Sequence, residues 1–181
     1  IFILYFIAIA WYNVADTQET CSTNRNLQED SILLKKYRFG FDIMGLVLFL
    51  IVMIPNFIWF AVPAPNDILR NESVTALVDT IGSICQVLFV SFLCVIINKE
   101  KNKLHFSPLI ILTVICIILY FTGWILYYNG ITNSLVIIIL TLSPCLAFIF
   151  FALDRKNIIA VVPAVCFTIC HLIYGVVNFV L

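Results

Sequence analysis

The feature that most constrains the fold is the stretch of residues 43–62, twenty residues without a single Asp, Glu, Lys or Arg. At a rise of ~1.5 Å per residue, a helix of this length crosses a hydrocarbon core of about 30 Å. The cationic cluster Lys35-Lys36-Tyr37-Arg38 precedes the stretch, and Trp59-Phe60 lies near its end. Lys and Arg favour the cytoplasmic side, while Trp favours the headgroup level. We therefore predict a transmembrane helix that leaves the cytoplasm here.

Composition extends this prediction to the whole chain, which is 63% hydrophobic and 11% charged. Soluble domains are roughly one quarter charged, because their surfaces face water. The composition therefore predicts an all-α, polytopic transmembrane helix bundle. The formal net charge is zero, which gives no reason to expect a nucleic-acid partner.

The hydropathy pattern predicts five complete helices within one transmembrane domain, residues 34–181. Polar or turn-forming segments separate the apolar runs, and Pro108 stands where a first helical residue should be. Because the turns are short, consecutive helices are expected to be antiparallel neighbours. The predicted helices cover residues 41–62, 76–97, 108–128, 131–153 and 157–180.

The cations between these helices predict the topology. Eight Lys and Arg residues fall on the side of Lys35, whereas Arg70 alone falls on the other side. The positive-inside rule then places the first side in the cytoplasm and the C-terminus outside. The cytoplasmic segments are Lys35–Arg38, Lys99–Lys103 and Arg155–Lys156.

Residues 1–33 form an apolar stub and a polar leader, and three interpretations of them stay open. The apolar run Ile1–Trp11 is too short to span a bilayer alone, so it is either the end of a sixth helix or the apolar region of a signal peptide. Alternatively, the leader is not part of the natural protein, and translation starts at Leu33 or Leu34.

The seven cysteines do not predict a disulfide framework or a metal site. Six of them lie inside apolar runs, where Cys behaves as a small hydrophobic residue, and Cys21 lies in a polar segment. We predict no cofactor, no metal and no catalytic residue, since no nucleophile, base or ligand set falls on adjacent helical turns.

Three prolines within the predicted helices suggest a polar cavity as an alternative to a closed bundle. Pro55, Pro144 and Pro163 each remove a backbone hydrogen bond and bend a helix. Bent helices surround the substrate in many transporters, although neighbouring helices also satisfy the freed groups in ordinary bundles. The polar residues that such a cavity would use are Asn56, Asp79, Gln86, Ser143, His171 and Asn178.

The ionisable residues among these also have a structural explanation. Asp42 and Asp79 lie near predicted helix N-termini, where a carboxylate interacts favourably with the free N–H groups. His171 follows Cys166 and Cys170, a combination that a soft metal or haem could use. Adjacent residues point about 100° apart on a helix, so a neutral His171 hydrogen-bonded to another helix is favoured.

Three segments carry a resemblance to a known group of proteins. They are Tyr37-Arg-Phe-Gly-Phe-Asp-Ile-Met-Gly45, residues 54–70, and Asp154-Arg-Lys-Asn157. With these segments the chain, from about residue 34 to the end, resembles small uncharacterised multi-pass membrane proteins of Gram-positive anaerobic bacteria. The resemblance implies a bacterial cytoplasmic membrane and a later start site, and it transfers no activity.

Two functional hypotheses follow. The first is a non-enzymatic accessory, sensory or structural membrane component. The second is a small-solute transporter or channel that uses the proline-bent helices. The partners expected for either are membrane lipids, and another membrane protein or a second copy through helix packing.

Overall fold

The computed structural model describes residues 36–100 and 107–181, so the predictions made for residues 1–33 lie outside the described residues. The described part confirms the all-α class, and its five long helices are all long and apolar enough to span a membrane. A two-stranded sheet and one 3₁₀ turn, Ile68–Arg70, complete it. The helices are α1 (Ile43–Ala61), α2 (Ala76–Val95), α3 (Pro108–Tyr128), α4 (Ser134–Asp154) and α5 (Ile158–Phe179), and the strands are β1 (Tyr37–Phe39) and β2 (Ile96–Asn98).

Four of the five long helices begin at a capping side chain. Asp42, Ser107, Asn133 and Asn157 each accept a hydrogen bond from a backbone N–H in the first turn of the helix that follows. Such caps satisfy donors that have no partner within the helix. The fourth helix therefore begins at 134 rather than at the predicted 131. Pro108 occupies the first turn of α3, as predicted.

The predicted helix 76–97 is wrong at its last two residues, because α2 ends at Val95 and the chain continues as β2. This strand pairs antiparallel with β1, with Tyr37 opposite Asn98 and Phe39 opposite Ile96. Pairing satisfies backbone groups at the point where the helical hydrogen bonds stop, and unsatisfied groups are costly near lipid. The paired residues of β1 and β2 are 57 to 61 positions apart in the chain, so local hydropathy does not indicate the pairing.

The helices pack around α4. In the 18-residue apolar span of α4, 61% of the residues are buried, against 28% in the span of each of the other four helices. The largest packing contacts join α2 to α5, α3 to α4, and α4 to α5, while α1 contacts α2, α3 and α4. The prediction that consecutive helices are neighbours therefore fails for α2 and α3, which share no extensive contact.

Small residues allow two of these close approaches. A Cβ atom on Gly175 of α5 would lie 2.5 Å from Cγ2 of Thr141 on α4. A Cβ atom on Gly45 of α1 would lie 3.1 Å from the carbonyl oxygen of Leu93 on α2. Interfaces between membrane helices depend on such packing, since lipid provides no hydrophobic force between helices.

Candidate functional site

The polar side chains concentrate at the two ends of the bundle. We call the end that carries β1, β2 and the turn between α4 and α5 the basic end. There, Arg155 donates from Nε to Oδ2 of Asp42 and from Nη2 to Oδ1, both at 3.1 Å. The side chains of both residues are 7% exposed. A buried, two-pronged pair of this kind fixes the end of α4 against the start of α1.

The turn that follows Arg155 fixes α5 against the end of α2. Asn157 donates from Nδ2 to the carbonyl oxygens of Phe92 and Ile96, at 3.0 and 2.8 Å. Asn98 donates from Nδ2 to the carbonyl oxygen of Lys156 at 2.8 Å. Lys156 has a φ of 53°, in the left-handed region, and its side chain is exposed. Its backbone is thus held while its ammonium group faces outward.

Two further hydrogen bonds complete the basic end. The hydroxyl of Tyr37 donates to the carbonyl oxygen of Lys156 at 3.3 Å, and the hydroxyl of Ser107 donates to Oδ1 of Asp154. The second oxygen of Asp154 is buried and has no hydrogen-bond partner among the described residues. All of these contacts join elements that are far apart in sequence, so the basic end is formed by tertiary contacts.

At the opposite end, Asp67 is the centre of the polar contacts. Its carboxylate accepts hydrogen bonds from the indole of Trp59 at 2.8 Å, the hydroxyl of Tyr127 at 2.9 Å and Nε of Arg70 at 2.7 Å. The backbone N–H of Ala64 donates a fourth, at 3.3 Å. These bonds attach the connection between α1 and α2 to α3, and we call this end the Asp67 end.

The same contacts set the protonation of Asp67. Desolvation by burial raises the pKa of this carboxyl group, but the hydrogen bonds from Trp59, Arg70, Tyr127 and Ala64 outweigh it and leave the pKa below its ordinary value. The carboxylate form is therefore the stable one at neutral pH, as expected for an anion that accepts several hydrogen bonds.

Two of the six predicted cavity residues lie together near the Asp67 end, joined by a third side chain. The hydroxyl of Thr75 donates to Oδ1 of Asp79 at 2.9 Å and accepts from Nδ2 of Asn178 at 2.8 Å. Asn178 also accepts from the backbone N–H of Val74 at 2.7 Å. Asp79 lies in the first turn of α2, as predicted. This chain of hydrogen bonds ties α2 to the last turns of α5.

His171 lies between two aromatic rings of its own helix. Its ring stacks on Phe167, with centroids 5.0 Å apart, and on Tyr174, at 6.0 Å. Stacking along α5 therefore takes the place of the predicted hydrogen bond to another helix within the described part. No group of three or more His, Cys, Asp or Glu residues that could hold a metal occurs in residues 36–100 and 107–181.

The other three predicted residues lie apart from these. Asn56 donates from Nδ2 to the hydroxyl of Tyr120 at 2.8 Å, which joins α1 to α3. Ser143 is buried on α4, and Gln86 is half-buried on α2. The structure thus brings Asp79 and Asn178 together and distributes the remaining four over different helices. The polar cavity itself stays a prediction.

An apolar groove of about 480 Å³ lies between α2 and α5. It runs from the middle of both helices toward the basic end, and none of the six predicted residues lines it. Its lining residues are Cys85, Leu88, Phe92, Ile159, Val162, Pro163 and Cys166.

Sequence reasoning missed the residues that hold the two ends together. In the sequence, Arg155 indicates only topology, and the predicted helix 157–180 includes Asn157, whereas the structure makes this residue the N-cap. A signal for Asn157 was present, because Asn immediately before an apolar run is a typical N-cap. No local signal indicated that Asp42 and Arg155, 113 residues apart, would pair.

Comparison with known proteins matches no family model, no curated protein and no solved structure. The assignment therefore depends on the residues and their arrangement. Five helices that are long and apolar enough to span a membrane, with charges gathered at their ends, identify the chain as an integral, multi-pass membrane protein.

Proposed function

We propose that this protein is a non-enzymatic accessory, sensory or structural component of a membrane, acting through the packing of its helices against another membrane protein or a second copy. The observation that carries the proposal is the use of polar side chains as ties between helices. Asn56 and Asn178, two of the six candidates for a polar cavity, each make a hydrogen bond that joins two elements, and Asp79 accepts a hydrogen bond from Thr75, the residue to which Asn178 donates.

The exposed surface supports the same proposal. Large apolar side chains face outward along α1, α2, α3 and α5, which is the surface that lipid or another helix would cover. Without a hydrophobic force in lipid, contact with another protein depends on shape and small residues. Such a protein needs no bound solute in order to act.

We further propose a bacterial cytoplasmic membrane with the basic end in the cytoplasm. The exposed cations described at that end are Lys36, Arg38, Lys99 and Lys156, against Arg70 at the other end. Single cysteines at Lys99 and Ser73, in a background without other reactive thiols, test the orientation. A membrane-impermeant maleimide added to intact cells should label the Ser73→Cys variant and leave the Lys99→Cys variant unlabelled.

The transporter hypothesis has one observation in its favour. The indole N–H of Trp124 is buried and makes no hydrogen bond of good geometry among the described residues, although the hydroxyl of Tyr120 lies close to it. Its ring lies 6.3 Å from that of Tyr120, which accepts the hydrogen bond from Asn56. A polar solute or a water molecule would satisfy this donor. The transporter hypothesis therefore predicts that the solute pathway passes Trp124.

Flux through proteoliposomes separates the two functions. Purified protein reconstituted into sealed vesicles should give the same flux of protons, alkali cations, chloride and small neutral solutes as empty vesicles. Photo-crosslinking in cells at the outward-facing positions Ile54 and Ile118 should at the same time give a discrete protein adduct. Solute flux that is lost on Asn56→Leu, and kept in the exposed control Asn71→Leu, would contradict the proposal and establish the transporter.

A further inference from the structure

We propose that the groove between α2 and α5 is a binding site for an anionic phospholipid, with an acyl chain in the groove and the phosphate at Lys156. The site would take its lipid from the leaflet in contact with the basic end. The inference is independent of the proposed function, since an accessory protein and a transporter would both accommodate such a lipid.

The position of the groove suits a chain from that leaflet. On α2 it extends from Cys85 to Phe92, a separation of seven residues or about 10 Å along the helix axis. Phe92 lies three residues before the end of α2, at the basic end. On α5 the groove begins at Ile159, in the first turn. Its length therefore falls within the half of the hydrocarbon core, about 15 Å deep, that adjoins the basic end.

The lining of the groove excludes a polar ligand. Every lining side chain is aliphatic, aromatic, proline or cysteine, and none carries a charge. The volume of about 480 Å³ is within the range of small-molecule sites, and the groove is open along the lipid-facing side. A flexible hydrocarbon chain fits this surface, because it enters from the side and needs no hydrogen-bond partner.

The backbone contacts of the α4–α5 turn place a cation at the mouth of the groove. Asn157 is bonded to the carbonyl oxygens of Phe92, which lines the groove, and of Ile96. Lys156 precedes it directly, is held by Asn98 through its carbonyl oxygen, and has an exposed side chain. Arg155, the other cation of this turn, is already paired with Asp42. Lys156 is thus the cation of the turn that faces outward at headgroup level.

An apolar groove that ends at an exposed ammonium group matches the two parts of an anionic lipid. The chain provides apolar contact, and a phosphate without a balancing choline provides a negative charge. A cation near an anionic membrane surface contributes about a fivefold preference. A zwitterionic lipid would use the groove and gain little from Lys156, so the site discriminates by headgroup.

Native mass spectrometry tests both parts of the site. The full chain, in mild detergent, is titrated with phosphatidylglycerol and phosphatidylcholine of identical acyl chains. We expect the wild-type protein to retain phosphatidylglycerol preferentially. Lys156→Gln should lower the ratio of retained phosphatidylglycerol to phosphatidylcholine about fivefold. Arg38→Gln, which removes an exposed cation at the same end but outside the turn, should leave the ratio unchanged.

A second matched pair tests the groove. Val162→Trp should fill the groove and reduce retention of both lipids, since Val162 lines it and is 66% exposed. Ile169→Trp should not, because Ile169 is similarly exposed, at 56%, on the same helix but does not line the groove. Circular dichroism and a melting curve confirm that each variant is folded.

Three results would overturn the proposal. They are equal retention of the two lipids by the wild-type protein, an equal loss of preference in the Arg38 and Lys156 variants, and unchanged retention in the Val162 variant. A wild-type spectrum dominated by a lipid-free dimer that Val162→Trp dissociates would assign the groove to a second copy of the chain.

Discussion

The two ends of the bundle use the same pair of residue types in different surroundings. At the basic end, the side chains of Asp42 and Arg155 are both 7% exposed, and the two residues are 113 positions apart in the chain. At the Asp67 end, Asp67 is 11% exposed, but its partner Arg70 is 42% exposed and only three residues away. Asp67 also accepts hydrogen bonds from the neutral donors of Trp59 and Tyr127.

The difference shows that the contribution of an Asp–Arg pair to the free energy of unfolding depends on how far the pair is buried. Where both charges are withdrawn from water, removal of one takes away the buried counter-charge of the other, which is costly. Where the cation remains in water, solvent and neutral donors share its role, and the pair is worth about 1 kcal/mol or less. The basic end should therefore be the more sensitive to substitution.

The largest effect is expected for Arg155→Met at the basic end. The substitution removes both guanidinium bonds to Asp42 and leaves a carboxylate in a buried setting, which should cost about 3–5 kcal/mol of unfolding free energy. Reversible unfolding in mixed detergent and SDS micelles measures it.

The double variant Asp42→Asn with Arg155→Met provides the control. Asn is also a good N-cap, so it should keep the hydrogen bond to Met44 while it removes the buried charge. The double variant should then be more stable than Arg155→Met alone. A loss below 1 kcal/mol in the single variant would show that the two ends do not differ.

A smaller loss is expected for Asp67→Asn at the other end. The amide retains one acceptor oxygen but presents an NH₂ group to donors, so the charge-assisted bonds from Arg70 and its neighbours are lost. About 1–3 kcal/mol should disappear from the unfolding free energy. The exposed carboxylate of Glu72, changed to Gln, should have an effect within about 0.5 kcal/mol.

Acid should affect the Asp67 end through the same carboxylate. The pKa of Asp67 is lower in the folded protein than its ordinary value of 3.8, so its stabilising contribution is present above that pH and lost as the pH falls through the folded value. The wild-type protein should lose more stability below about pH 4 than Asp67→Asn does. Identical acid profiles for the two proteins would contradict this assignment.

The smallest effect is expected for Arg70→Met. Its guanidinium is partly in water, and Asp67 keeps the bonds from Trp59, Tyr127 and Ala64. The loss should be about 1 kcal/mol or less, well below that of Arg155→Met in the same assay. Equal losses at Arg70 and Arg155 would remove the distinction between the two ends.

Much of the fold could be predicted from local sequence, because a membrane helix needs an uncharged apolar run of defined length. The five helices, Pro108 at the start of α3 and Asp79 in the first turn of α2 follow from this and from end preferences. The predicted positions of helix ends are less accurate where a side-chain cap or a strand determines the end, as at Asn133 and Ile96.

The contacts of the polar residues could not be predicted in the same way. Asn56 and Asn178 are recognisable as polar groups within apolar runs, but their partners, Tyr120 and Thr75, depend on which helices pack together. A hydropathy pattern identifies which residues avoid lipid. It does not identify the neighbouring helix toward which they turn.

The sequence by itself determined that the chain spans a membrane, where the spans lie, and at which end the charges gather. These properties depend on the transfer of consecutive residues between water and lipid, which is additive along the chain. The tertiary structure alone decided that β1 pairs with β2, that Asp42 pairs with Arg155, and that α2 packs on α5 rather than α3. These pairings depend on shape and on hydrogen-bond partners distant in sequence. Lipid solvates every apolar helix equally well before the helices pack, so it favours no particular neighbour.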